Sequence, residues 1–311
     1  MVSKRVILVL TAVVSGTIIL GALLIQFQLQ PRTSNERIGV RPSAVLRVNA
    51  YVLAGYWTRN VNTDLPDYIS TIEYSVSNTG NAQAENVNVT VYTDGNLYTT
   101  YIIPSLAVSQ ANSSSFSTST AYDSRDNVKV QASCQDFTDS QAFSVGSNLP
   151  RYWSEPGISE LYVTPKEVNL VGMENAILRD KFFLIPNWIA LRDWVGNNIK
   201  YRYDNETHGV GDYWQLSKET LELRTGDCED YAILLCSLFR ADGWSPNDVY
   251  VVLGTNGEAY HGWVKINFGI LGWYNIEPQG NGWNTLIGDF LSLSGFTAKY
   301  VFNDQQYMPA K

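Results

Sequence analysis

Thr225-Gly226-Asp227-Cys228-Glu229-Asp230-Tyr231-Ala232 runs directly into Ile233-Leu234-Leu235-Cys236-Ser237-Leu238-Phe239. The Gly-Asp pair interrupts whatever precedes it, and the residues from Tyr231 to Phe239 are apolar almost all round, the pattern of a helix buried in a core. Asp227 suits the N-cap, which makes Cys228 the first helical residue and puts Asp230 third, a capping-box-like arrangement. The thiol then sits at the positive end of a helix dipole, where a thiolate is stabilised relative to the thiol. Helical geometry turns Glu229 and Asp230 about 100° and 200° away from Cys228, so their charges are expected to stay off the sulfur.

Two downstream stretches supply the groups a nucleophilic thiol needs. Ala259-Tyr260-His261-Gly262-Trp263-Val264-Lys265-Ile266-Asn267 and Gly272-Trp273-Tyr274-Asn275-Ile276-Glu277-Pro278 are strand-like, with Gly269 and Gly272 marking the turn between them. An antiparallel hairpin that pairs Asn267 with Leu271 also pairs His261 with Glu277. Any register joining odd positions to odd ones sets the imidazole and the carboxylate on one face. Cys228, His261 and Glu277 are then the parts of acyl transfer: nucleophile, proton carrier, and orienting acid. The backbone N–H of Cys228, in the first helical turn, is one candidate oxyanion donor.

Gly-Asp-Cys-Glu-Asp-Tyr-Ala-Ile, then His-Gly-Trp-Val, then Trp-Tyr-Asn-Ile-Glu-Pro, in that order, resembles the transglutaminase-like superfamily of papain-type cysteine enzymes. The stretch Trp188 to Tyr201 resembles the helix that opens that domain, and the likeness covers roughly residues 160 to 285. It implies an α+β domain, helices packed on an antiparallel sheet, with Cys228, His261 and Glu277 as the catalytic set. By analogy Trp214 and Gln215 are further oxyanion candidates. The family's third member is usually an aspartate before proline, whereas here Glu277 precedes Pro278. The Cys-Glu-Asp-Tyr-Ala-Ile run is also similar to bacterial transglutaminase-like cysteine proteinases, in some of which acidic residues beside the cysteine hold calcium. Asp227, Glu229 and Asp230 are therefore candidate calcium ligands as well as candidate caps and solvated charges; no other cofactor is expected.

The rest of the 311 residues organises around this unit. No charge interrupts Val6 to Leu29, and at about 1.5 Å per residue the run from Val6 to Ile25 reaches roughly 30 Å as a helix. Residues 1–30 are thus expected to be a transmembrane helix, an uncleaved anchor in preference to a cleaved signal peptide because the apolar run is long and ends with no small-residue cleavage site, with Lys4 and Arg5 favouring a cytoplasmic N-terminus and an exported body. Asn-x-Ser/Thr triplets at Asn88, Asn112 and Asn205 suit an exterior location. Residues 31–44 read as a stalk. Residues 45–147, with short alternating runs such as Glu85 to Tyr92 and turn signals at Asn78 to Asn81 and Asp94-Gly95-Asn96, read as an Ig-like β-sandwich. Val76 to Gly80 followed by Val87 to Tyr92 resembles the cell-adhesion-related modules of prokaryotic surface proteins. Ser113 to Thr120 is open between a flexible connection and an edge strand. Residues 148–311 form the transglutaminase-like unit, with helical patterning from about Asn175 to Ile199 broken at Pro186 and a buried strand at Val249 to Leu253.

Composition narrows the function classes. At 45% hydrophobic and 17% charged the chain has ample core. A net charge of -8, with no basic patch, argues against nucleic acid as a partner. Cys134, Cys228 and Cys236 show no zinc spacing. His208, in a polar loop, is expected to be exposed, and Trp263 and Trp273 share the odd face of the hairpin, as cleft walls or as packing. The expectation is a membrane-anchored enzyme outside the cytoplasm acting on a protein or peptide substrate, by hydrolysis or by transamidation. The rival is a catalytically silent transglutaminase-like scaffold serving as a binding or adhesion protein.

Overall fold

The structure is a computed structural model that describes residues 6–14, 17–25, 41–135, 137–152, 156–257, 259–279, 286–288 and 296–310. It falls into two units, 1–42 and 43–311. In the first, β1 (Val6–Val14) pairs antiparallel with β2 (Thr17–Ile25), from Val6 opposite Ile25 to Val14 opposite Thr17. The expected transmembrane helix is thus replaced by a hairpin, and among the described residues no helix is long and apolar enough to cross a membrane. The run is rich in β-branched residues (Val6, Ile7, Val9, Thr11, Val13, Val14, Ile18, Ile19), which lose rotamer freedom in a helix and favour strands. The proposed stalk lies largely outside the described residues.

The second unit begins with seven strands: β3 (Leu46–Arg59), β4 (Pro66–Asn78), β5 (Ala84–Thr93), β6 (Asn96–Leu106), β7 (Ala111–Ala121), β8 (Asp126–Cys134) and β9 (Phe137–Val145). They make a three-stranded sheet in the order β3-β4-β7 and a four-stranded sheet in the order β6-β5-β8-β9. Alternate residues point inward. Ile72, Tyr74 and Val76 of one sheet share a core with Val87, Val89, Val91, Val128 and Val130 of the other. Asp94 and Gly95, with φ of 48° and 77°, form the tight turn between β5 and β6 that their sequence signals. The buried Asn78 amide closes another turn by donating to the Leu106 and Ala82 carbonyls at 2.9 and 2.7 Å. Ser113 to Thr120, left open by the sequence, belong to β7, which pairs with β4 from Asp67 to Ser77.

The remainder is α1 (Val168–Asp180), α2 (Asn187–Asn198), β10 (Lys200–Tyr201), α3 (Asp204–Thr207), α4 (Ser217–Leu223), β11 (Thr225–Gly226), α5 (Cys228–Ala241), β12 (Val249–Thr255), β13 (Tyr260–Asn267), β14 (Trp273–Ile276), β15 (Leu286–Gly288), β16 (Thr297–Phe302) and β17 (Tyr307–Pro309). Glu167, whose carboxylate accepts from Leu170 N at 2.9 Å, starts α1 earlier than the apolar pattern suggested. α5 is the central helix: every residue from Glu229 to Phe239 is buried. It packs on a six-stranded antiparallel sheet ordered β15-β14-β13-β12-β16-β17. Trp57, Leu65 and Tyr122 of the sandwich pack against this second core. Asp64 Oδ2 also accepts from Lys166 N at 2.7 Å, and Arg59 Nη2 donates to the Glu160 carbonyl.

The β13–β14 register is two residues longer than expected. Asn267 pairs with Trp273 rather than Leu271, because Gly269–Leu271 forms a 3₁₀ turn inside the connection. A shift of two conserves the face, so His261 and Glu277 still lie on one side of the sheet. The first turn of α5 lies directly on β13 at Gly262. A Cβ there would come 2.9 Å from Glu229 Cα, 3.0 Å from Glu229 N and 3.1 Å from the Cys228 carbonyl oxygen, all backbone atoms with little freedom to yield. Gly262→Ala is therefore expected to destabilise the fold by about 1–3 kcal/mol through overpacking. A denaturant midpoint equal to that of the wild type would show that the helix start has room to move.

Candidate active site

Cys228 opens α5, and Asp227 N donates to Asp230 Oδ2 at 3.2 Å, one arm of the capping box read from the sequence. Asp230 is fully buried, and its other oxygen accepts from Gln215 N at 2.8 Å. Two backbone donors make this carboxylate a brace between the helix start and the segment before α4. Gly226, just upstream, is packed so closely that a Cβ would meet the Asp230 side chain at 2.6 Å.

A cleft of about 500 Å³ opens at this helix end. Cys228 and His261 both line it, together with Trp214, Asp204, Asp212, Tyr260 and Lys299. His261 Nε2 is 2.6 Å from Glu277 Oε2, and Gln279 N donates to Glu277 Oε1 at 3.2 Å. The extra methylene of Glu277 relative to aspartate thus still delivers the carboxylate to the ring. With Nε2 engaged, Nδ1 is the ring nitrogen left to exchange a proton with a reacting group. Trp263 stacks beside the imidazole at 6.1 Å between centroids, and Phe296 meets the ring edge-on at 6.0 Å. Trp263 Nε1 donates to Asn275 Oδ1 at 3.0 Å. Trp263 is buried packing for the histidine, and Trp273 lies against Tyr250 rather than along the cleft.

The surroundings of the sulfur differ from the sequence expectation. Cys228 Sγ donates to Glu229 Oε2 at 3.2 Å: the long side chain of the neighbouring residue folds back over the thiol despite the angular separation of the two Cα–Cβ bonds. Burial, then the charges of Glu229 and Asp227, push the Cys228 thiol well above its ordinary range, and the Gly262 backbone N–H opposes that shift. Burial, then hydrogen bonding to Asp227, raises the Glu229 carboxyl. Asp204, raised to about 7 by burial and by the charge of Asp227, is buried as well.

Asp204 and Asp212 were not singled out from the sequence. The parallel pairing of Tyr201 with Gly226 brings α3 beside the start of α5, and with it Asp204 beside Asp227. One carboxylate oxygen each from Asp204, Asp227 and Asp230 lie within 4.8 Å of one another, as do oxygens of Asp204, Asp212 and Glu229. Asp204 Oδ1 and Asp227 Oδ1 are buried without a hydrogen-bond partner among the described residues. Buried carboxylate oxygens with no donor, grouped at this spacing, fit a hard divalent cation that binds through oxygen. Of the two oxyanion candidates, Trp214 lines the cleft, whereas the Gln215 side-chain amide is buried with neither atom partnered among the described residues. His208 is half-buried rather than exposed, stacked on Tyr213 at 3.9 Å. Burial lowers its pKa. The three cysteines are all free: Cys236 is buried in α5 and Cys134 ends β8.

Residues 187–278 match the family model of the transglutaminase-like superfamily, and residues 58–139 match that of the CARDB domain. No curated protein matches the chain. Among solved structures, calcium-bound LapG of Legionella pneumophila is 17% identical over 51% of this chain and 82% of its own, with a TM-score of 0.35. The CARDB domain of a Pyrococcus furiosus protein, in complex with di-metal ions, is 17% identical over 35% of this chain and 96% of its own, with a TM-score of 0.26. The stretch that matches the transglutaminase-like model, 187–278, carries Cys228, His261 and Glu277, and the stretch that matches the CARDB model, 58–139, lies in the sandwich.

Proposed function

We propose that this chain is a cysteine acyl-transfer enzyme that hydrolyses peptide or amide bonds, with transamidation of protein side chains as the variant in which an amine replaces water. The observation that carries the reading is that His261, paired with Glu277 at 2.6 Å, lines the same cleft as a cysteine at a helix start. In the first step the sulfur of Cys228 attacks the substrate carbonyl and its proton passes to His261. Glu277 holds the ring by Nε2 and stabilises the imidazolium. The tetrahedral oxyanion is met by the Cys228 backbone N–H, with the indole N–H of Trp214, whose residue lines the cleft, as the second candidate donor. Collapse expels the amine, which takes the proton from His261 and leaves a thioester on Cys228. Water, deprotonated by His261, then releases the acid and the thiol.

A specific observation favours a second reading, the silent scaffold: the thiol donates to Glu229 Oε2 at 3.2 Å, and burial, then the charges of Glu229 and Asp227, oppose its ionisation. A divalent cation reconciles the two. Asp204, Asp227 and Glu229, with Asp212 at the rim, are the residues that would hold calcium, and their orphaned oxygens are what it would satisfy. When bound, the ion supplies positive charge that relieves the carboxylate opposition to a thiolate. Asp230, already engaged by two backbone N–H groups, keeps its bracing role. A location outside the cytoplasm is proposed in keeping with the Asn-x-Ser/Thr triplets at Asn88, Asn112 and Asn205.

The catalytic reading is tested with an internally quenched peptide library in millimolar calcium. The full chain is expected to cleave members of it, Cys228→Ala to abolish cleavage, and His261→Ala and Glu277→Gln to slow it by about 100-fold or more. Cleavage by Cys228→Ala at the wild-type rate would remove the sulfur from the mechanism.

Calcium is tested separately by thermal melts. Bound by the folded state alone, it is expected to add about 2.7 kcal/mol at a concentration a hundred times Kd, and Asp204→Asn to remove most of that gain. The folded-state pKa of Asp204 is raised from 3.8 to about 7, so the stability it contributes is present below 3.8 and lost as pH rises through about 7. The metal-free Tm should therefore fall across that window while the calcium increment grows. A melt insensitive to both calcium and chelator at pH 8 would leave the scaffold reading in place.

A further inference from the structure

Arg151 stands at the junction between the sandwich and the catalytic part and grips both. Its Nη2 donates to Asp123 Oδ2 at 2.5 Å, in the turn between β7 and β8 of the sandwich. Its Nη1 and Nη2 reach the two carboxylate oxygens of Glu219, in α4, at 2.6 and 3.0 Å. Nη1 also donates to the Trp214 carbonyl at 3.2 Å, while the carbonyl of Arg151 itself accepts from Trp214 N at 2.8 Å. One residue thus holds the Trp214 peptide from both sides. The guanidinium is flanked by the rings of Tyr122 and Tyr213, 5.6 and 4.9 Å from their centroids. Asp123 is itself fixed, since its Oδ1 accepts from Leu149 N at 2.9 Å.

The bonds continue to the cysteine. Tyr213 N donates to Asp204 Oδ2 at 2.6 Å, Trp214 lines the cleft, and Gln215 N donates to Asp230 Oδ1 at 2.8 Å. The other oxygen of Asp230 takes Asp227 N, immediately before Cys228. A continuous set of hydrogen bonds therefore joins a turn of the sandwich to the start of α5. No bond in it involves the sulfur or the imidazole.

We propose that Arg151, held by Asp123 of the sandwich, is a positioning residue that fixes the segment Tyr213–Gln215, which carries the cleft-lining Trp214, against the start of α5, and so makes the sandwich a working part of the site. Two carboxylates and a carbonyl around one guanidinium call for a planar fork of donors. A lysine at 151 keeps the charge and loses the fork. The inference goes beyond the acyl-transfer reading, because it concerns how this segment is held whatever chemistry occurs in the cleft.

Amide hydrogen exchange on the full chain tests it, with Arg151→Lys, Asp123→Asn and, as control, Arg59→Gln. The control breaks the other strut, in which Arg59 joins Asp64 at 3.3 Å and the Glu160 carbonyl, well away from Trp214 in sequence and bonding. Arg151→Lys and Asp123→Asn are expected to speed exchange at Trp214 and Gln215 by about tenfold or more, and Arg59→Gln to leave both unchanged. On the peptide library the two variants should lower kcat with KM little altered. Unchanged exchange at Trp214 and Gln215 in both Arg151→Lys and Asp123→Asn, or an equal increase in Arg59→Gln, would overturn the proposal. Should Arg151→Lys fail to fold, Asp123→Asn, which keeps the Glu219 pair, decides alone. If the wild type cleaves no peptide, the acyl-transfer reading falls while the exchange result still decides this one.

Discussion

The close seating of the first turn of α5 on β13 at Gly262 is the constraint from which the site follows. With no side chain at 262, helix backbone and strand backbone approach near 3 Å of where a Cβ would stand. The cysteine that opens the helix and the histidine beside that glycine are thereby brought to one cleft. The helix has little freedom to slide, since its residues from Glu229 to Phe239 are buried between the sheet and the surrounding helices. The unpaired backbone N–H groups of a helix N-terminus, ordinarily left to solvent, here face the cleft end of the helix.

The same helix start gathers acids. Asp227, Glu229 and Asp230 come with the helix, and the short parallel pairing of β10 with β11 adds Asp204. Burial, reinforced by their neighbours' charges, raises the pKa values of Asp204 and Glu229, and two oxygens of the cluster, on Asp204 and Asp227, have no donor among the described residues. Such a cluster works against a thiolate as long as its charge is uncompensated. Asp230 illustrates how one carboxylate escapes this conflict: two backbone N–H groups satisfy it, and it serves as a brace.

Much of the C-terminal part was legible because its signals are local. The Gly-Asp stop, the apolar run to Phe239 and the two strand-like stretches each follow from periodicity, and the parity of His261 and Glu277 survives a change of register by two. The hairpin register itself was not legible, since a 3₁₀ turn at Gly269–Leu271 consumes residues that a tighter turn would leave in strands. Nor was the contact of Glu229 with the sulfur, which depends on a side-chain torsion rather than on helical phase. Asp204 and Asp212 are near the cysteine through a tertiary pairing, and no spacing in the chain announces it. The apolar N-terminal run has the length of one membrane helix and also of two nine-residue strands, so its length alone does not choose between them.

The chemistry assigned to the cleft reduces to one property, the nucleophilicity of Cys228 in the presence of His261. Competitive labelling of the full chain with iodoacetamide near neutral pH and in calcium, resolved by peptide mapping, measures it against Cys134 and Cys236 in the same molecule. Cys228 is expected to react at least about tenfold faster than partly exposed Cys134, and to lose that lead in His261→Ala. Labelling of Cys228 no faster than Cys134 would contradict the account.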